Sequence, residues 1–142
     1  MPSVPADRPV ETRVEHCVLP GCIERVHHAL AGLWEQAPDV PDLDRMMFET
    51  AVIEVTANVI EHAERGEGFD AHVVLRVEDG SLVGELTDTG AFVDVDLDVD
   101  LPEDDLATNG RGIPLARRAV HEISYRRGDG RNHWRLVRHW QG

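Results

Sequence analysis

The sequence predicts an α+β two-layer sandwich, a mixed and largely antiparallel sheet with its helices on one face. Three observations carry that expectation. Two helix-period segments lie back to back near the N-terminus, two hairpin patterns turn at Glu78-Asp79-Gly80 and Arg127-Gly-Asp-Gly130, and the element order does not alternate strand with helix as a doubly wound fold would. At 142 residues with 42% hydrophobic composition, the chain has the size of one domain with a real core.

Glu11 to Leu19 alternates polar and apolar residues and stops at Pro20-Gly21, the pattern of a first strand and a break. Ile23, Val26, His27, Leu30, Leu33 and Trp34 then recur at helical spacing until Pro38 and Pro41 end the run. Asp42 suits the N-cap of a second helix from Leu43 to Ala63, with Met46, Met47, Thr50, Ile53 or Glu54, and Ala57 as its expected inward positions. Ala71 to Val77 and Ser81 to Thr87 flank the turn former Glu78-Asp79-Gly80 and read as a hairpin. A short helix is expected from Ile113 to Val120, followed by strands at Glu122 to Arg126 and His133 to Trp140 around Arg127-Gly-Asp-Gly130. Met1 to Pro9, rich in proline and charge, reads as a flexible arm of a cytoplasmic protein, ahead of a single domain over residues 10–140.

Composition excludes several functions. No apolar run approaches the ~20 residues that span a bilayer, which argues against a membrane protein. The net charge of −13 opposes direct nucleic-acid binding and favours protein partners. All fourteen basic residues are arginine, so the lysine chemistries of Walker-type ATPases, ordinary protein kinases and Schiff-base enzymes are absent. Any phosphate must be met by arginine, backbone N–H groups or a metal. Residues 111–142 carry 8 arginines and 2 acids, a basic stretch that either protects strand edges or faces an acidic partner or phosphates. Cys17 and Cys22, with His16, His27 and His28 nearby, read as reduced buried thiols, with zinc as the other reading. Asp94 to Asp105 spaces its acids like a calcium loop but has Val99 at the required glycine, and reads better as an acidic loop that orders over a ligand.

Three strings suggest chemistry. Glu54, Asn58 and His62 fall four residues apart on one helical stripe, and Asp88 with Gly90 sits where a strand ends at a tight turn. Gly110 and Gly112 precede a helix whose N-terminus can receive phosphates. An ordinary solvated helix face, a turn-capping aspartate and a structural His62 are the plain readings of the same residues.

In order and spacing, Glu54-x3-Asn58-x3-His62-Ala63, Asp88-x-Gly90-x-Phe92-x-Asp94 and Gly110-Arg111-Gly112-Ile113-x-Leu115 resemble the ATP-binding superfamily of gyrase, the ninety-kilodalton heat-shock chaperone, mismatch-repair ATPases and sensor histidine kinases. Within it the set is most similar to the bacterial anti-sigma factor serine kinases, over Val10 to Val137. At 142 residues the chain is expected to lack the coupling and dimerisation domains of the other branches.

The resemblance implies the histidine-kinase-like (Bergerat) fold, with ATP and Mg²⁺ as cofactors. It makes Glu54 the catalytic base and Asn58 the magnesium ligand. Asp88 would accept the adenine amino group, and Gly90 would let the base approach. Gly110, Arg111 and Gly112 would meet the phosphates, and Asp94 would begin a lid over residues 94–109. It implies an anti-anti-sigma (STAS-type) protein as the phosphorylated partner, a sigma factor as the second, and leaves homodimerisation open. The alternative is a nucleotide-binding regulatory module that sequesters a partner without turnover. Two departures stand out: His121 occupies a position often acidic in the family, and the threonine expected near the last hairpin has no match around Gly130-Arg131-Asn132.

Overall fold

The computed structural model describes residues 10–17, 21–63, 70–89 and 112–140. The expected N-terminal arm, Gly90, Asp94, Gly110, Arg111, the lid and the acidic loop fall outside them. Along the chain the elements are β1 (Val10–Val14), α1 (Cys22–Gln36), α2 (Asp42–Ala63), β2 (Ala71–Glu78), β3 (Ser81–Asp88), α3 (Gly112–Ala119), β4 (Glu122–Gly128) and β5 (Arg131–His139). The strands form one sheet in the order β1-β2-β3-β5-β4, and every described pairing is antiparallel. Among the described residues no helix is long and apolar enough to cross a membrane.

Both hairpins close on two residues. Glu78 pairs Ser81 across Asp79-Gly80, and Gly128 pairs Arg131 across Asp129-Gly130. Asp129 and Gly130 both take positive φ, 55° and 73°, as a type I′ turn requires. This turn fixes the phase of β5: Asn132, Trp134 and Leu136 face the helices and are buried, while Arg131 and Arg135 alternate to the bare face.

α2 lies over the middle of the sheet. Its buried stripe is Phe48, Ala51, Val52, Val55 and Val59. This corrects the expected inward set, since Met46, Thr50 and Ala57 are exposed, Met46 at 56%. The apolar residues of this helix run nearly all the way round it, so periodicity alone gives no sharp phase. The sheet decides the phase: Gly84 of β3 leaves room for Phe48 and Val52 to come down onto the backbone. α1 joins at the side, where Trp34 packs edge-on against Phe48 and its indole N–H donates to Glu49.

β1 is shorter than expected. His16 takes φ 53°, which breaks the extended backbone and turns the chain toward α1. The Cys17 N–H still reaches the Ala71 carbonyl at 2.7 Å, so the segment stays beside β2. The same turn brings the Cα atoms of Cys17 and Cys22 to 4.8 Å, and the two form a disulfide. This corrects the reading of reduced thiols, and it takes both sulfurs out of any zinc site.

A β-carbon at Gly84 would sit 3.4 Å from Phe48 and 3.5 Å from Val52, an ordinary contact with no room beyond it. Gly84→Ala is therefore expected to change stability by less than about 1 kcal/mol, while Gly84→Leu overpacks the site and costs about 1–3 kcal/mol or more. Urea unfolding of both variants checks this, and equal midpoints would contradict it.

Candidate functional site

Of the residues marked by sequence, Glu54, Asn58, Asp88 and Gly112 lie among those described. Glu54 and Asn58 are half-buried and flank the apolar stripe of α2 one turn apart. The side they occupy follows from a clamp at the other end of the helix. Arg138 of β5 pairs with Asp44 at 2.8 Å and donates to the Ala119 carbonyl at 2.8 Å, tying the start of α2 to the last residue of α3.

Because α3 packs along α2, that anchor makes the two helices antiparallel. Asn58 stands fourteen residues after Asp44, close to four full turns, and so lies within about 40° of it around the axis. Glu54 lies about 80° from Asp44 in the same sense. Eight residues of α3 rise about 12 Å and the ten from Asp44 to Glu54 about 15 Å, so the Gly112 end of α3 comes roughly level with the approach to Glu54. A helix N-terminus, the Asn58 amide and a carboxylate thus share one side of α2. The Asn58 Nδ2 is buried and has no hydrogen-bond partner among the described residues, so its amide keeps unused bonding capacity.

The second part of the site is the end of β3. Asp88 is 4% exposed and lies opposite Asn132 in the sheet register. The Asn132 amide donates to Asp88 Oδ1 at 2.9 Å, while its own oxygen accepts from the Tyr125 hydroxyl and from Arg127, the latter at 3.0 Å. A carboxylate this deep is tolerable only when it is hydrogen-bonded. Thr89 brackets the strand end: its N–H donates to the Asp70 carbonyl at 3.1 Å, and its hydroxyl accepts from the Asp70 N–H at 3.0 Å.

Asn132, Tyr125 and Arg127 are the residues that sequence reasoning missed. The register puts Asn132 beside Asp88, near the hairpin where no threonine could be placed. Reading Asp129-Gly130 as a two-residue turn would have given Asn132 as the first inward position of β5. His121 has a structural part, its Nδ1 accepting the His139 N–H at 3.0 Å. A shallow recess of about 410 Å³ opens on the bare sheet face between His72, Thr87, Arg126 and His133, on the far side of the sheet from α2, and contributes nothing to this site.

The sequence model of the histidine kinase-like ATPase domain matches residues 19–138. A search of curated proteins found no match. Among solved structures, the crystal structure of the SiaB-SiaC complex from Pseudomonas aeruginosa contains a chain similar in fold, with a TM-score of 0.68 at 20% identity, covering 92% of this chain and 90% of that one.

Replacing Asn132 by Leu removes the amide from Asp88 and the acceptor from Tyr125 and Arg127. The expected loss is about 1–3 kcal/mol in urea unfolding. An unchanged midpoint would show that the buried network carries no weight.

Proposed function

The chain belongs to the histidine kinase-like ATPase family, and we propose that it is an ATP-dependent serine kinase that phosphorylates an anti-anti-sigma protein of STAS type and binds a sigma factor in partner switching. The observation that carries this reading is Glu54 one helical turn before Asn58, on the side of α2 that α3 flanks, with a buried carboxylate at the end of β3.

The residues fit a magnesium nucleotide. Asn58 offers a hard carbonyl oxygen to the cation and a buried N–H, without a partner among the described residues, to a phosphate oxygen. Bound there, Mg²⁺ would neutralise charge on the transferring phosphoryl group. Asp88, fixed by Asn132, presents a carboxylate to the amino group of adenine. Gly112 opens α3, whose N-terminal N–H groups favour anions, and Arg111 precedes it as the cation for the phosphates. In this reading Gly90 admits the base, Gly110 adds N–H groups, and Asp94 begins the lid over residues 94–109.

Glu54 is the group that distinguishes a kinase from a nucleotide-gated clamp. A carboxylate there takes the proton from the incoming serine hydroxyl, and a module that only sequesters a partner has no use for it. The acidic, lysine-free surface agrees with protein partners over nucleic acid. That the structurally similar chain was solved in a two-protein complex also supports a protein partner. The reading places the protein in the cytoplasm, where sigma factors work.

Glu54→Gln keeps the shape and removes the base. Phosphoryl transfer from radiolabelled ATP to the partner is expected to fall by about 10²–10⁴-fold with nucleotide affinity retained. Equal transfer by the variant would overturn the role of Glu54. Absence of transfer in the parent, with partner binding still responsive to ATP, would favour the module that works without turnover.

A further inference from the structure

A second site lies at the opposite end of β2 from the first hairpin, and it is built by the turn that shortens β1. His16, Asp70 and His72 bring two imidazoles and a carboxylate together, with one ligating atom from each within 4.8 Å of the others. His16 Nδ1 lies 3.2 Å from Asp70 Oδ2, and His72 Nε2 lies 3.6 Å from the same oxygen. The two rings stand 5.3 Å apart, tilted by 58°.

We propose that this triad is a binding site for Zn²⁺. Two neutral imidazole nitrogens and one carboxylate oxygen form a donor set of the kind that binds zinc with three protein ligands and leaves a position for water. Ligand atoms around a tetrahedral zinc stand roughly 3.3 Å apart given bonds of about 2.0–2.1 Å. Two of the three separations are already near that value, and the third, within 4.8 Å, would have to be closed by turning the exposed His16 imidazole.

The placement of the ligands is fixed by backbone rather than by the side chains themselves. Asp70 is held through both its N–H and its carbonyl by Thr89, and His72 is locked in the β2 ladder opposite Thr87. His16 is held by its left-handed backbone and by Arg25, which donates to the carbonyls of His16 and Glu15 at 2.8 and 2.9 Å. Zinc here joins the chain after β1 to the entrance of β2, and through Asp70 and Thr89 to the strand end that carries Asp88. The site does not depend on the nucleotide reading, since none of its ligands belongs to that site.

The test is zinc titration of the full chain, without nucleotide, against a chromophoric chelator, with metal content after dialysis measured by mass spectrometry. The parent protein is expected to retain one zinc per chain with a raised thermal midpoint, and cobalt in its place to give a d–d spectrum of nitrogen and oxygen ligation. His72→Ala and His16→Asn, the latter suited to the left-handed backbone, are each expected to weaken binding by roughly tenfold or more. Circular dichroism of the metal-free variants confirms that they fold. The double variant Cys17→Ser with Cys22→Ser is expected to keep the zinc. Failure of the parent to bind, equal binding by the histidine variants, or loss of zinc with the cysteines alone would overturn the proposal.

Discussion

The proposed nucleotide site depends on keeping one carboxylate buried. Asp88 is almost without solvent at the end of a central strand, and a carboxylate there must be given hydrogen bonds or it neutralises or destabilises the fold. Asn132 supplies a bond only because β5 lies next to β3 in the register that sets the two residues opposite each other. The two-residue turn at Asp129-Gly130 sets β5 against β4, and the inward run Asn132, Trp134, Leu136 decides which face of β5 meets Asp88. A slip by one residue would send the amide to the bare face and leave the carboxylate buried against His133 or Arg131 instead.

The helical half of the site is positioned by two contacts at a distance from it. Gly84 lets Phe48 and Val52 seat α2 on the sheet, which sets the rotation of the helix and so places Glu54 and Asn58 on its flank. Arg138 fixes the start of α2 against the end of α3, which sends the N-terminus of α3 back toward that flank. The other arginines of the basic C-terminal stretch divide their work. Arg135 approaches Glu85, which also holds Arg76, in a row of charge on the bare face, while Arg127 serves Asn132. Exposed ion pairs between interior strands, and not protection of a strand edge, account for that row.

The fold was legible because its punctuation is local. The Asp-Gly turns, the prolines after α1 and the period-two strands mark element type and order without tertiary information. The facing of α2 was not legible, since Met46, Met47, Ile53 and Ala57 are as apolar as the residues that are buried, and only packing on Gly84 selects among them. The end of β1 was hidden for a related reason: a left-handed His16 is a backbone state that alternation cannot reveal, and the disulfide of Cys17 with Cys22 follows from it. Glu54, Asn58 and Asp88 are marked as candidates by motif spacing alone. Asn132 could not be, because its importance lies in a partner forty-four residues away, reached through a strand pairing that skips β4.

Thermal unfolding with and without Mg-ATP tests the central claim most directly, measured on the parent protein and on Asn58→Ala and Asp88→Asn, each against its own ligand-free midpoint. Ligand at a hundred times its dissociation constant stabilises the native state by about 2.7 kcal/mol, so the parent's midpoint is expected to rise visibly and both variants to lose most of that rise. No shift in the parent, or an equal shift in all three proteins, would contradict a nucleotide site built from α2 and the end of β3.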